Sequence, residues 1–358
     1  MFETLKTFCE IPAPGGREDL IHEPLAERWR GQTDSVEITP VGNLVAHVAG
    51  SGKKLLLVGH GDEIGFVVKY IAPEGFLFFT SGQRDDRQKP DLRGVYFSPV
   101  GQRALVIGRN TQIPGVFATL TGHILTADQR LKTALDWNDF WVDVFLSSAE
   151  EVRAAGIEVG SRIVWNPPFT RNGKLITGKA MDNRVSLLLM DEVLRRLDRS
   201  RLHYDLYLAS TIQEESGLIG ANSVNRALGC DYAIALDTGL SGDVPTVDPR
   251  NVSSRLGAGP ILIQKDLYSY NFHLNNRIAD TAADAGIPLQ HAAYSLYGSD
   301  AGMLIREGLP SAALVVPTRY THSPFETVHE DDLEATVELL LAFLYRPYDG
   351  SSAQETAQ

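Results

Sequence analysis

Six residues able to bind metal or move protons fall at five separated places along the chain: His60, Asp182, the pair Glu214–Glu215, Asp237 and His322. His60 follows the apolar run Leu55-Leu-Leu-Val58, in Gly59-His60-Gly61-Asp62-Glu63. Glu214 and Glu215 follow the strand-like Tyr204 to Ser210, and Asp237 follows Tyr232-Ala-Ile-Ala-Leu236. His322 comes shortly after Ala312-Ala-Leu-Val-Val316, and Asp182 lies in the turn Gly178-Lys-Ala-Met-Asp182-Asn-Arg184, ahead of a helix. In open α/β sheets the ligand crevice lies beyond the carboxyl ends of the strands, so residues this far apart can converge there. Two imidazoles and three carboxylates suit two divalent cations, each with one His and one carboxylate, and a third carboxylate bridging. Three negative charges against four positive leave one positive charge on the centre. A further carboxylate is then free as general base. These residue types leave open which of Glu214 and Glu215 is ligand and which is base. Asp62, two residues after His60, is placed to accept the proton of the other ring nitrogen and fix the tautomer.

Taken singly, each residue has an ordinary explanation: a polar strand end, a solvated turn at 214–215, an Asx-turn at Asp237, a helix N-cap at Asp182. Their co-occurrence at strand ends and a helix start sets them apart. The seven other histidines, at 22, 47, 123, 203, 273, 291 and 329, lack that setting and read as structural or surface. Competing motifs fail. His329-Glu330 is followed by Asp-Asp-Leu rather than completing HExxH. Gly50-Ser-Gly-Lys53 lacks the upstream Gly and downstream Ser/Thr of a phosphate loop, and Gly239-Leu-Ser241-Gly-Asp breaks the GxSxG elbow.

The elements that must position these residues alternate between strand and helix. Residues 1–30 are helical with a break at Pro12-Ala-Pro-Gly-Gly16, and 43–49 alternate as a strand. The spacing predicts helices over Val185 to Leu197, Phe272 to Ala285 and Asp332 to Tyr345. From about 70 to 170 the rhythm changes to short β pieces, such as Gly75-Phe-Leu-Phe-Phe-Thr, Arg103-Ala-Leu-Val-Ile-Gly and Phe140-Trp-Val-Asp-Val-Phe. The expected organisation is a discontinuous catalytic α/β domain (1–69 and 171–348), an inserted β domain (70–170) and a polar, disordered tail (349–358).

The net charge of −12, from 33 basic and 45 acidic residues, disfavours a nucleic-acid partner. Two cysteines without a CxxC argue against a disulfide scaffold or thiolate zinc site. No apolar run reaches the length of a membrane span, and the first residues lack the apolar stretch of a signal peptide, so no membrane partner and a cytoplasmic location are expected.

With these residues in place, the chain resembles the tetrahedral (TET-type) aminopeptidases, a family whose members are often labelled glutamyl or deblocking aminopeptidase and sometimes cellulase. The resemblance covers most of the chain. It rests on Gly59-His60-Gly-Asp62-Glu-Ile-Gly-Phe66, Gly156-Ile-Glu-Val-Gly160, Gly178-Lys-Ala-Met-Asp182-Asn-Arg184, Gln213-Glu-Glu215-Ser-Gly217, Leu236-Asp237, Gly298-Ser-Asp-Ala301 and Arg319-Tyr-Thr-His322-Ser-Pro-Phe-Glu326, in that order. It implies a three-layer α/β/α metallopeptidase domain with a PDZ-like or barrel-like β insert. It implies that His60 and Asp237 hold one metal, Glu215 and His322 the other, that Asp182 bridges, that Glu214 is the general base and that Asp62 supports His60. It further implies two divalent ions per subunit (zinc, with cobalt or manganese also suited to His/carboxylate donors), short peptides as substrates, and assembly into a homo-oligomer, commonly a hollow tetrahedral dodecamer. Three positions depart from the family: Asn183 where many members have Asp, Gly61 where Met is frequent, and Ser216 where Val is usual.

Rival readings are a related co-catalytic zinc carboxypeptidase or N-acyl amino acid deacylase, a glycosidase with paired carboxylates, and a catalytically inactive self-assembling scaffold. The zinc rivals carry their extra domain after the catalytic Glu-Glu, whereas this insert precedes Asp182. A glycosidase has no use for two strand-end histidines. The scaffold would not need all six competent side chains.

Overall fold

Leu55 and Leu57 face one hydrophobic core while Leu56 and Val58 face another. The strand Lys53–His60 is therefore buried on both sides, as a central parallel strand must be. A computed structural model describes residues 1–82, 101–131, 137–295 and 297–347; the expected tail, 349–358, lies outside them. Lys53–His60 sits in an eleven-stranded mixed sheet. Its parallel neighbours are Tyr204–Thr211 on one side and Tyr232–Leu240 on the other, and Ser311–Arg319 pairs parallel beyond that. Antiparallel strands close the flanks, Leu44–Val48 on one side and Glu326–His329, Leu175–Gly178 and Thr170–Asn172 on the other.

Helices cover both faces. Phe2–Glu10, Asp19–Arg30, Met181–Arg196, Phe272–Ala285 and Glu330–Leu344 bury their apolar stripes in the larger core, with Trp29 fully buried among them. Ala221–Leu228 and Asp300–Arg306 pack on the opposite face. This is a three-layer α/β/α arrangement. The N-terminal helical region breaks where Pro12 to Gly16 was expected to break it. The helix beginning at Met181 is irregular at first, since Asp182 and Asn183 have non-helical dihedrals. Asn183 then caps the regular part, its Oδ1 accepting from the Ser186 amide at 3.2 Å.

The short β pieces form a closed six-stranded barrel with strands from Phe66–Ile71 to Arg162–Trp165. It has its own core. The Phe66 ring lies 5.2 Å from Phe79, 5.2 Å from Phe117 and 5.5 Å from Trp165, all at steep angles that favour edge-to-face contact. Of the two kinds of insert expected, the structure has the barrel. Among the described residues no helix is long and apolar enough to cross a membrane.

Candidate metal centre

Strand register assembles half of the site. Parallel pairing sets Thr211 beside His60 and Ala235 beside Val58. Carried two residues further, the second register brings Asp237 level with His60. Asp237 lies inside its strand rather than at the end: the strand runs past Leu236 because Ser311–Arg319 continues to pair with it, as far as Leu240 opposite Thr318.

Turns supply the rest. The chain leaves Tyr204–Thr211 in a tight turn with Gln213 at φ 49°, so two adjacent glutamates can reach one centre. Asp62 holds this turn, its Oδ1 accepting from the Glu214 amide at 3.0 Å and its Oδ2 from the Glu215 amide at 3.3 Å. His322 is also left-handed, at φ 61°. Such a conformation costs a non-glycine residue about 1 kcal/mol. Here Glu326 compensates, accepting from the His322 amide at 2.7 Å and the Asp182 amide at 3.0 Å. In the sequence Glu326 stands out only as the end of the Arg319–Glu326 motif, because an acceptor of backbone N–H groups leaves no spacing signal.

All seven candidate residues meet at one place. One oxygen of Asp182 faces each imidazole: Oδ1 lies 3.1 Å from His60 Nε2 and Oδ2 lies 3.4 Å from His322 Nε2. Asp237 Oδ1 and Glu214 Oε2 are each 3.9 Å from His60 Nε2, and Glu215 Oε2 is 3.6 Å from His322 Nε2. His60 Nδ1 is 3.1 Å from the Asp62 carbonyl oxygen and 3.4 Å from its Oδ1. The carbonyl can only accept, so Nδ1 carries the proton in the neutral ring and the Nε2 lone pair faces the carboxylates. Asp62 thus supports His60 mainly through its backbone, while its carboxylate orders the glutamates.

This donor set fits divalent cations. Ligands about 2.0–2.2 Å from a tetrahedral ion lie roughly 3.3–3.6 Å from one another, close to the separations here. Potential donor groups converge around His60, Asp182 and Glu215 and around His60, Glu214 and Asp237. Glu215 Oε1 is buried without a hydrogen-bond partner. Burial pushes Glu214, Glu215 and Asp237 well above the usual carboxylate range, and neighbouring carboxylates add to the shift. Burial also opposes charge on Asp182, but its contacts to His322 and His60 outweigh it and hold this carboxyl low. So much buried acid is costly unless cations neutralise it. The site is reached from the His322 side, where that imidazole is 35% exposed against 2% for His60.

The three departures from the family have local partners. Asn183 donates from Nδ2 to the Leu236 carbonyl at 2.9 Å, which a carboxylate could not do. Ser216 Oγ donates to the carbonyl of Gly82, linking the glutamate turn to the edge of the barrel. At Gly61 an added Cβ would sit 2.5 Å from His22 Nε2, so His22 occupies the space a larger side chain would need. His22 is buried, with Nδ1 on the Gly42 carbonyl at 2.9 Å and Nε2 on Ser210 Oγ at 2.8 Å. Burial pushes its pKa down to about 4, against the pull of the Gly42 carbonyl. The unfolded chain takes up this proton near 6.5, so between pH 6.5 and 4 the unfolded state binds more protons and stability falls with pH. The unfolding free energy of wild type minus that of His22→Gln should shrink by about 3 kcal/mol from pH 7 to 4. Urea unfolding at several pH values checks this, and a pH-independent difference contradicts it.

Residues 42–339 match the family model described as M42 glutamyl aminopeptidase. The putative aminopeptidase FrvX of Escherichia coli is 31% identical over 96% of this chain and 94% of its own. The lysyl aminopeptidase of Pyrococcus furiosus is 29% identical over 96% of each. Among solved structures, a TET aminopeptidase from a marine-sediment thaumarchaeon superposes with a TM-score of 0.88 at 30% identity, covering 96% of this chain and 95% of the other. The TET1 peptidase of Pyrococcus horikoshii, described as able to assemble into a tetrahedron or a large octahedral shell, superposes with a TM-score of 0.84 at 27% identity, covering 96% and 98%. Motif order, fold and site geometry agree with these likenesses: the chain belongs to the M42 glutamyl aminopeptidase family and is a metal-dependent aminopeptidase.

Proposed function

We propose that this aminopeptidase works with two divalent ions, which His60 and Asp237, and His322 and Glu215, would hold with Asp182 between them. The observation that carries this reading is the Asp182 carboxylate, with one oxygen toward each imidazole. Ions bound there supply Lewis acidity toward the first peptide carbonyl and its developing negative oxygen. Glu214 takes a proton from the attacking water and returns it to the leaving amine. With cations bound beside it Glu214 is ionised and can accept the water's proton, and its burial next to Asp237 and Glu215 favours handing that proton on rather than keeping the charge. Asp62 and Glu326 hold the backbone of the ligand-bearing turns and so set the distances on which the proton transfers depend.

The reading includes the expected division into a catalytic domain (1–69 and 171–348) and an insert (70–170), supported by the separate aromatic core of the barrel, with the first boundary drawn back to Phe66 because the strand Phe66–Ile71 belongs to the barrel. It includes a homo-oligomer, a tetrahedral dodecamer, supported by the assemblies described for TET1 and by large apolar side chains left exposed, among them Ile124, Leu131, Phe145 and Phe272. Short peptides are its substrates. Zinc, cobalt and manganese all suit the donors. Both cysteines are free and buried, which supports a reducing, cytoplasmic setting.

Metal analysis combined with peptide hydrolysis is the test. We expect two divalent ions per chain, loss of hydrolysis on chelation, and recovery when metal is restored. One ion per chain at full activity would refute the dinuclear reading. A metal-free chain that cleaves peptides would refute the metal mechanism.

A further inference from the structure

Apolar and aromatic side chains, two of them exposed, lie on the segments that carry or adjoin the metal-ligand residues. Tyr297 donates its hydroxyl to the Thr238 carbonyl at 2.5 Å, which ties its ring to the strand one residue beyond Asp237. The Leu267 amide donates to the Tyr297 carbonyl at 3.2 Å, bringing the Leu267 side chain, 60% exposed, alongside it. Gly298 follows, and a Cβ built there would meet only Leu267 Cδ1, at 3.6 Å, so the space beside this wall is open. On the segment of the second imidazole, Tyr320 is 48% exposed two residues before His322 and packs edge-on against Phe325, with centroids 5.7 Å apart.

Most charged groups of these loops are engaged elsewhere, while the Arg255 side chain is exposed. Asp266, next to Leu267, is buried, accepting from the Tyr268 amide at 2.8 Å and from the Tyr270 hydroxyl. Lys265 folds back onto the Asp266 carbonyl at 2.6 Å. Arg319 closes on Asp243 with two contacts of 3.0 and 2.6 Å. Arg250 pairs with Asp248. A wall of this kind rewards burial of an apolar side chain and offers these charges to no lysine or glutamate.

We propose that Leu267 and Tyr297 form the pocket for the side chain of the peptide's first residue, and that this chain therefore selects uncharged apolar N-terminal residues over lysine and glutamate. The inference rests on the aminopeptidase reading above and narrows its substrate class.

The test uses the metal-loaded full chain with the p-nitroanilides of leucine, lysine and glutamate. We expect kcat/KM for the leucyl substrate to exceed each of the others by about ten-fold or more. Leu267→Arg should raise the glutamyl-to-leucyl ratio by about ten-fold or more, and Leu267→Glu the lysyl-to-leucyl ratio. Leu267 is exposed, so both variants keep the fold. Calorimetry on the Glu214→Gln variant adds a readout without turnover: leucine should bind more tightly than lysine or glutamate. A wild-type preference for a charged residue overturns the pocket and leaves the aminopeptidase reading standing. Ratios that neither variant moves, or equal binding of the three amino acids, overturn it too. Failure to hydrolyse any of the three substrates overturns the aminopeptidase reading and the pocket with it.

Discussion

The Glu214→Gln variant is expected to keep both metal ions and lose about 10² to 10⁴ in turnover, the usual consequence of removing a general base. Glutamine preserves the shape of the side chain but cannot take a proton from water. Glu215→Gln should behave differently. Glu215 Oε2 lies 3.6 Å from His322 Nε2, and its other oxygen is buried without a hydrogen bond, which supports the ligand role proposed for it. Losing that charge should empty one site and leave activity that excess metal partly restores. Metal content and rate, measured for both variants, separate the two roles. Geometry makes the test worthwhile, because Glu214 also approaches His60 and Asp237 closely enough to ligate. If the 214 variant loses metal while the 215 variant keeps it, the roles are reversed and the reaction class survives.

Glu63→Ala should cost about 3–5 kcal/mol, the range for removing one member of a buried ion cluster. Glu63 Oε1 accepts from the Ala13 amide at 2.9 Å and from Lys179 Nζ at 2.8 Å, and Oε2 lies 2.7 Å from the same amine. Arg184, fully buried, reaches Oε1 at 3.4 Å. The cluster ties the Pro12–Gly16 break to the turn that carries Asp182. Burial pulls the pKa of Lys179 down and Glu63 restores part of it, so removing the carboxylate strands two buried cations. Urea unfolding of Glu63→Ala, Lys179→Met and the double variant measures the effect. The double variant should cost clearly less than the sum of the singles. A Glu63→Ala cost below about 0.5 kcal/mol would mean that solvent already reaches the cluster.

Much of this protein is legible from residue pattern alone. A run apolar on both faces, such as Leu55 to Val58, is required wherever helices cover a sheet on two sides, so the central strands announce themselves. Metal-capable residues just past such runs are legible for the same reason, since a parallel sheet gathers its carboxyl ends along one edge. The barrel also shows, as a change of period, although a repeat of short strands does not say whether they close.

What escapes the sequence depends on the backbone. The Asp62 carboxylate serves the Glu214 and Glu215 amides more than His60, and Glu326 serves those of Asp182 and His322. Every residue but proline carries an amide, so no residue type marks which one will be bound. Asp237 proved to lie within its strand because a neighbour continues to pair there, which is a property of two segments and not of one. Residue types along the chain determined which side chains were available to bind metal and roughly where the strands would deliver them. Tertiary structure alone decided that one oxygen of Asp182 turns to each histidine, because that orientation depends on contacts between segments more than a hundred residues apart.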